Sequence, residues 1–183
     1  MEDGEIRLAR RDGVARYPAR FQLVLAANPC PCASADPRDC ICAPTAKRRY
    51  LGRLSGPLLD RVDLRVQMHP VRTGAFAAQG GESTACVRER VAAAREAAAQ
   101  RWQPHGIRTN AEVSGALLRR RFRPEAAAMA PLRTALDRGL LSIRGVDRTL
   151  RVAWTLADLA GRTSPGLDEV TVALSFRQPG GAR

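Results

Sequence analysis

A chain of 183 residues with 30 Lys and Arg against 18 Asp and Glu, a net charge of +12, is long enough for one domain or two small ones and should attract polyanions. Aromatic residues are only 4% of it, so its apolar content is largely Ala, Leu and Val, which excludes a large aromatic core and favours small-residue helix packing. No run approaches the roughly 20 apolar residues of a membrane-spanning helix, and the opening Met1-Glu2-Asp3-Gly4-Glu5 is acidic where a signal peptide would be basic; a cytoplasmic protein without membrane contact is expected. Lys47 is the single lysine. An arginine-rich coding bias explains the cation excess as well as nucleic-acid contact does, so charge supports DNA as a partner without proving it.

Glu5 to Leu8 alternates polar and apolar residues, Arg10-Arg11-Asp12-Gly13 carries turn chemistry and Val14 to Tyr17 resumes, which predicts a β-hairpin with Arg7, Arg10, Arg11 and Arg16 near one tip. Phe21 to Ala27 reads as a central strand ending in Asn28-Pro29. Cys30, Cys32, Cys40 and Cys42 follow as Cys-x-Cys, seven residues, Cys-x-Cys. In a reducing compartment such a cluster points to a metal site or free thiols rather than disulfides. Four thiolates suit zinc, with free thiols or a redox pair as the alternative. A short helix falls within Leu51 to Asp60, and Val62 to Met68 alternates as a second strand.

Val71 to Thr84, with three glycines, reads as a linker. Beyond it Val87, Val91, Ala94, Ala98 and Trp102 predict a helix over Cys86 to Trp102, capped by Ser83 or Thr84. A second helix is expected from Asn110 or Ala111, and a third from Glu125, interrupted in pattern by Pro131. A fourth spans Gly145 to Ala160 and a last Leu167 to Phe176, together a small bundle. Cys86 is expected to be buried. His69 and His105 adjoin prolines in loops, and with no Ser, His and Asp set a hydrolase site is not expected.

The apolar strand ending in Asn28, the insert Ala27-Asn28-Pro29-Cys30-Pro31-Cys32 and the block Arg53-Leu54-Ser55-Gly56-Pro57-Leu58-Leu59-Asp60-Arg61-Val62-Asp63-Leu64, in this order, resemble the magnesium-chelatase-like AAA+ ATPases, specifically the ComM/YifB branch associated with DNA processing. The resemblance runs from about Glu2 to Arg177. It implies an α/β fold: the C-terminal part of a P-loop-type AAA+ core with hairpin, strands and cysteine insert over residues 1–70, the linker over 71–84, and an all-α helical lid over 85–183. The sequence contains no Gly-x-x-x-x-Gly-Lys-Ser/Thr phosphate loop and no apolar strand ending in Asp-Glu to hold magnesium. The chain therefore resembles the back half of a motor and is not expected to turn over ATP alone.

The same resemblance implies roles. Asn28 stands where the family has its sensor-1 residue, Arg61 where it has its arginine finger, with Arg53 as runner-up, and Arg144 where a lid arginine touches the γ-phosphate, with Arg148 one turn later almost as good a candidate. Asn28, Arg144 and Arg148 would then contact ATP, whose Mg2+ belongs to the complete motor, while Arg7, Arg10 and Arg11 would touch DNA in the pore. A finger acts on a neighbour's nucleotide, so a ring, a hexamer, is implied. The plainer alternatives are an Asn-Pro turn, an ion pair of Arg61 with Asp60 or Asp63, and solvated cations elsewhere. Two departures from the family are visible: Ala33 replaces a usual Gly, and Arg151-Val152-Ala153-Trp154-Thr155 replaces Arg-Val-Ala-Arg-Thr, removing a cation. The expected function is the sensor, finger and lid portion of a DNA branch-migration motor. A zinc-stabilised basic DNA-binding or ring-interaction module is the rival, and magnesium insertion into porphyrin rests on the superfamily name alone.

Overall fold

The computed structural model describes residues 4–11, 13–19, 21–34, 37–54, 56–68 and 81–177. The chain divides into two units, residues 1–54 and 55–183. It is mixed in class and mostly helical, with one small two-stranded sheet among the described residues.

In the first unit, β1 (Glu5–Arg10) and β2 (Gly13–Pro18) form the expected antiparallel hairpin. Its register corrects the placing of the arginines. Arg10 pairs with Gly13 at the turn, whereas Arg7 lies directly opposite Arg16, three pairs further from the turn. Directly opposed residues share a face and neighbouring pairs alternate, so Arg7 and Arg16 occupy the face opposite that of Arg10, Ile6, Leu8 and Tyr17. A short 3-10 turn (Pro37–Asp39) and helix α1 (Pro44–Leu51) complete the unit, and Pro44 at the start of α1 suits a position whose N–H has no helical acceptor.

Two expected strands are not formed. Residues 21–27 and 62–68 belong to no sheet, and apart from the half-buried Val62 their apolar side chains stand open, Val24 at 80% and Met68 at 85% exposure. Strand character in a sequence is realised only by a neighbouring strand that takes up the backbone N–H and C=O groups, and no such neighbour lies among the described residues.

The second unit opens with α2 (Gly56–Arg61), the short helix expected there. Residues 69–80, which include His69 and most of the expected linker, lie outside the described residues. The bundle then follows: α3 (Thr84–Trp102), α4 (Gly115–Arg120), α5 (Ala126–Asp137), α6 (Ile143–Leu159) and α7 (Leu167–Ser175). Ser83 caps α3 by accepting the Cys86 amide at 3.2 Å, and Ser142 caps α6 by accepting that of Gly145 at 3.0 Å. Gly139 and Gly161, at φ +67° and +66°, close α5 and α6 with left-handed turns that return the next amides to Ala135 and Ala157. Helix α5 runs through Pro131, its buried Met129, Leu132 and Ala135 outweighing the lost backbone bond.

The second helix begins later than expected. Asn110 starts only a 3-10 turn (Asn110–Glu112), and α4 starts after Ser114, whose Oγ accepts the Leu117 amide at 3.3 Å. Asn110 is buried and its amide is committed elsewhere: it accepts from Trp102 Nε1 at 2.7 Å and donates to Asp158 at 2.9 Å and Thr155 at 3.0 Å. Asp158 also takes the Arg101 guanidinium, which lies 4.2 Å above the Trp154 ring. Trp154 is thus a core residue, packed with Trp102 and Phe122. Cys86, expected to be buried, is exposed at the start of α3.

Asp158 is 2% exposed and Arg101 13%, so removing the carboxylate strands a largely buried cation. Asp158→Ala is expected to destabilise the bundle by about 3–5 kcal/mol, read from urea denaturation of the full chain by tryptophan fluorescence. A loss below about 1 kcal/mol would show that the network carries no such load.

Candidate functional site

The cysteines meet. Tight bending between Cys30 and Cys32 comes from a turn in which the Ala33 amide donates to the Cys30 carbonyl at 3.2 Å, with Pro31 fixing the corner. It brings the Cys30 and Cys32 sulfurs to 3.3 Å, and Cys40 Sγ lies 3.4 Å from Cys30 and 3.6 Å from Cys32. All four Sγ atoms, that of Cys42 included, fall within 4.8 Å of one another. A zinc–thiolate tetrahedron with bonds of about 2.3 Å has sulfur–sulfur edges of about 3.8 Å, so the thiolates stand at the spacing a tetrahedral metal needs. None of the four is in a disulfide.

Electrostatics within the cluster divide it into acceptors and donors. The Ser34 amide, then the Cys30 and Cys42 thiols, hydrogen-bond Cys32 and pull it down to about 6. The Cys42 amide and the Cys30 thiol lower Cys40, beside which the Lys47 ammonium also donates. Cys30 is raised because its S–H serves Cys32 and Cys40. Cys42 receives the Cys32 amide, which lowers it, yet donation to Cys32 and burial win and push it up to about 11. Two sulfurs are therefore biased towards thiolate and two hold protons that a metal would displace. Lys47, which sequence reasoning left without a role, enters because α1 begins two residues after Cys42.

Ala33 sits at φ +53°, in the left-handed region that the family's usual glycine adopts without cost. The departure noted in the sequence thus falls at the residue that closes the Cys30–Cys32 turn.

Asn28, two residues before Cys30, is exposed in the first unit, just after the run 21–27 that joins no sheet. Arg53 lies in the turn after α1. Arg7, Arg10 and Arg11 are exposed on the hairpin, with Arg7 3.5 Å from Glu5. The other arginine candidates belong to the second unit. Arg61 is the last residue of α2, its side chain exposed and one Nη donating to the Pro57 carbonyl at 2.9 Å. The expected alternative, an ion pair with its neighbours, is filled by other cations: Arg177 holds Asp60 at 3.0 Å and Arg148 holds Asp63 at 2.5 Å. Arg144 is exposed in the first turn of α6, whereas Arg148 is 7% exposed and also donates to the Arg61 carbonyl at 2.8 Å. Burial against the residues around Arg61 separates two arginines that stand one helical turn apart. Arg65 and Arg177 were missed. Arg65 joins its amide to the Phe176 carbonyl at 2.9 Å and its guanidinium to the Arg177 carbonyl at 2.6 Å.

The sequence pattern described as magnesium chelatase, subunit ChlI, C-terminal matches residues 81–177, and that of magnesium chelatase, subunit ChlI, matches residues 1–76. The chain belongs to the magnesium chelatase ChlI family. Within this family it is similar to an uncharacterized protein of Mycobacterium tuberculosis, 82% identical over 183 residues, which are 100% of this chain and 36% of the relative. The competence protein ComM of Haemophilus influenzae is 35% identical over 179 residues, 97% of this chain and 34% of the relative. The uncharacterized protein YifB of Escherichia coli is 38% identical over 179 residues, 97% and 35%. The chain is a ComM/YifB-like member of the ChlI family and spans about a third of the length of the curated relatives it matches. No helix among the described residues is long and apolar enough to cross a membrane.

With cobalt(II) as the probe, the full chain is expected to develop a thiolate charge-transfer band and the visible bands of a tetrahedral site at one equivalent, and Cys40→Ser to weaken that binding by at least about a hundredfold. An unchanged titration of the variant would exclude the cluster as the binding site. Replacing Ala33 by Gly relieves a left-handed alanine worth about 1 kcal/mol and should tighten metal binding about fivefold in a chelator competition; weaker binding would show that the turn is not strained.

Proposed function

We propose that this chain is the sensor, finger and lid portion of a ComM-like AAA+ motor that uses ATP to drive branch migration on DNA. In this reading residues 1–70 belong to the ATPase core, 71–84 link and 85–183 form the lid. The observation that carries it is the state of Arg61: its side chain is exposed at the end of α2 while both flanking carboxylates are engaged by buried arginines of the bundle. An arginine held on an ordered segment and without an ion pair among the described residues is suited to reach a phosphate outside its own chain, and its planar donor fork matches phosphate oxygens. A ring of copies, a hexamer, would supply that phosphate from the neighbour.

Asn28, a neutral amide, would orient the attacking water without adding charge. Arg144, exposed on the first turn of α6, is the better lid sensor; Arg148 is withdrawn from that role by its contacts with Asp63 and the Arg61 backbone. Magnesium, when bound with ATP, neutralises charge on the transferring phosphoryl group, but this sequence carries no phosphate loop or Asp-Glu strand end to hold it. That machinery is assigned to the part of the relatives' length that this chain does not span. Arg7, Arg10 and Arg11 would meet DNA phosphates from both faces of the hairpin, and zinc is the metal proposed for Cys30, Cys32, Cys40 and Cys42, where it would fix the insert beside Asn28.

The test replaces the 82%-identical segment of the Mycobacterium tuberculosis relative with this chain and measures ATPase activity with and without branched DNA. Activity stimulated by DNA and lowered about a thousandfold or more by Arg61→Ala is expected. A folded hybrid that is inactive, while the isolated chain binds DNA, would overturn the motor reading in favour of a basic, metal-stabilised binding module.

A further inference from the structure

Arg61 ends a short helix, where carbonyls lose their helical partners. Two guanidiniums from elsewhere in the unit occupy that end. Arg148, on α6, donates from one Nη to the Arg61 carbonyl at 2.8 Å and to Asp63 Oδ1 at 2.5 Å. Arg177, just past α7, donates to the Val62 carbonyl at 3.0 Å, the Asp60 carbonyl at 3.3 Å and the Asp60 carboxylate at 3.0 Å. Each of residues 60 to 63 is thus held by its backbone or its carboxylate, while the Arg61 side chain between them stays exposed. Both holding side chains are buried, 7% and 4% exposed.

We infer that Arg148 and Arg177 are positioning residues for Arg61, fixing the backbone from which its guanidinium projects; this rests on the reading of Arg61 as the arginine that reaches a neighbouring phosphate. Arg177 divides its three acceptors between two Nη atoms, which a single ammonium cannot do, and Arg148 meets the Arg61 carbonyl and Asp63 from one Nη of a planar guanidinium whose reach and orientation a lysine does not reproduce. The geometry also places Arg144 on the same helix as Arg148, about 6 Å earlier along its axis. A shift of α6 that follows whatever Arg144 contacts therefore carries the Arg61 segment with it. The lid and the finger are mechanically one element.

The hybrid described above serves for the test, in single-turnover ATP hydrolysis. Arg148→Lys is expected to lower the hydrolysis rate about ten- to a hundredfold with the ATP concentration for half-maximal rate changed less than about twofold, and with thermal melting close to that of the parent. In an Arg61→Ala background it should lower the rate no further, because it acts only through that residue. Asp63→Asn, at a carboxylate 53% exposed, leaves Arg148 in place and should give a smaller loss of the same kind; it carries the test if Arg148→Lys does not fold. If Arg61→Ala leaves the rate unaltered, the finger reading itself fails. If Arg61→Ala lowers it but Arg148→Lys and Asp63→Asn do not, or their losses simply multiply with that of Arg61→Ala, the finger stands and the positioning inference is overturned.

Discussion

Two buried guanidiniums decide what the segment from Asp60 to Arg65 belongs to. Arg148 and Arg177 are withdrawn from water, which costs several kcal/mol for each cation left without acceptors, and the groups that meet their Nη donors are the carbonyls of Asp60, Arg61 and Val62 and the carboxylates of Asp60 and Asp63. Detaching the segment would leave both cations buried without those acceptors. The segment is therefore tied to α6 and α7 by polar contacts, with little help from apolar burial: Leu64, Val66 and Met68 all remain exposed. Burial also acts on Arg177 directly, lowering its affinity for a proton, and the nearby charges of Arg65 and Arg148 add to that while Asp60 opposes it. Three arginines against two carboxylates are tolerable here because so many of the acceptors are backbone carbonyls, which ask for no counter-charge.

The same polar docking explains why the bundle was legible in the sequence and the sheet was not. Helix α6 declares itself through Val146, Leu150, Ala153 and Ala157, since a helix satisfies its own backbone and needs only one apolar stripe to pack. Residues 21–27 and 62–68 carry equally good strand patterns, yet a strand is a relation between chains of backbone, and alternation says nothing about whether the neighbour is at hand. A chain spanning about a third of its relatives' length leaves such neighbours unassigned. The hairpin escapes this because its partner is two residues away, although the alternation of its faces, and hence the separation of Arg7 from Arg10, required the register.

The candidate site was legible to the extent that its chemistry is local. Cys-x-Cys twice over gave the four candidate ligands, and the missing glycine at position 33 was visible as a departure; what spacing did not give was which sulfurs hold protons, because that is set by the Ser34 and Cys42 amides and by Lys47. Asn110 misled for a related reason. Asparagine is a good helix cap, but here its amide bridges Trp102, Thr155 and Asp158, a demand that no local pattern announces. Arg144 and Arg148 were close candidates one turn apart until Asp63, 85 residues away in sequence, engaged one of them.

These contacts change what the net charge of +12 means. Arg101, Arg119, Arg148 and Arg177 are all paired with carboxylates within the helical unit, and Arg151 serves the Val113 carbonyl at 2.9 Å. Arginine is favoured in such places for its fork and its weak hydration, so an arginine-rich bundle can be a structural solution before it is an electrostatic one. Ion pairing does not remove the excess of cations, but it takes those guanidiniums out of the population able to neutralise phosphates. The case for DNA contact thus cannot be carried by the total. It narrows to exposed cations on described backbone, among them the hairpin's Arg7, Arg10, Arg11 and Arg16. Because Arg7 and Arg16 face away from Arg10, a strand of DNA lying on one face of that ribbon would meet only part of the set, and a hairpin entering a pore lined with DNA would use both faces at once.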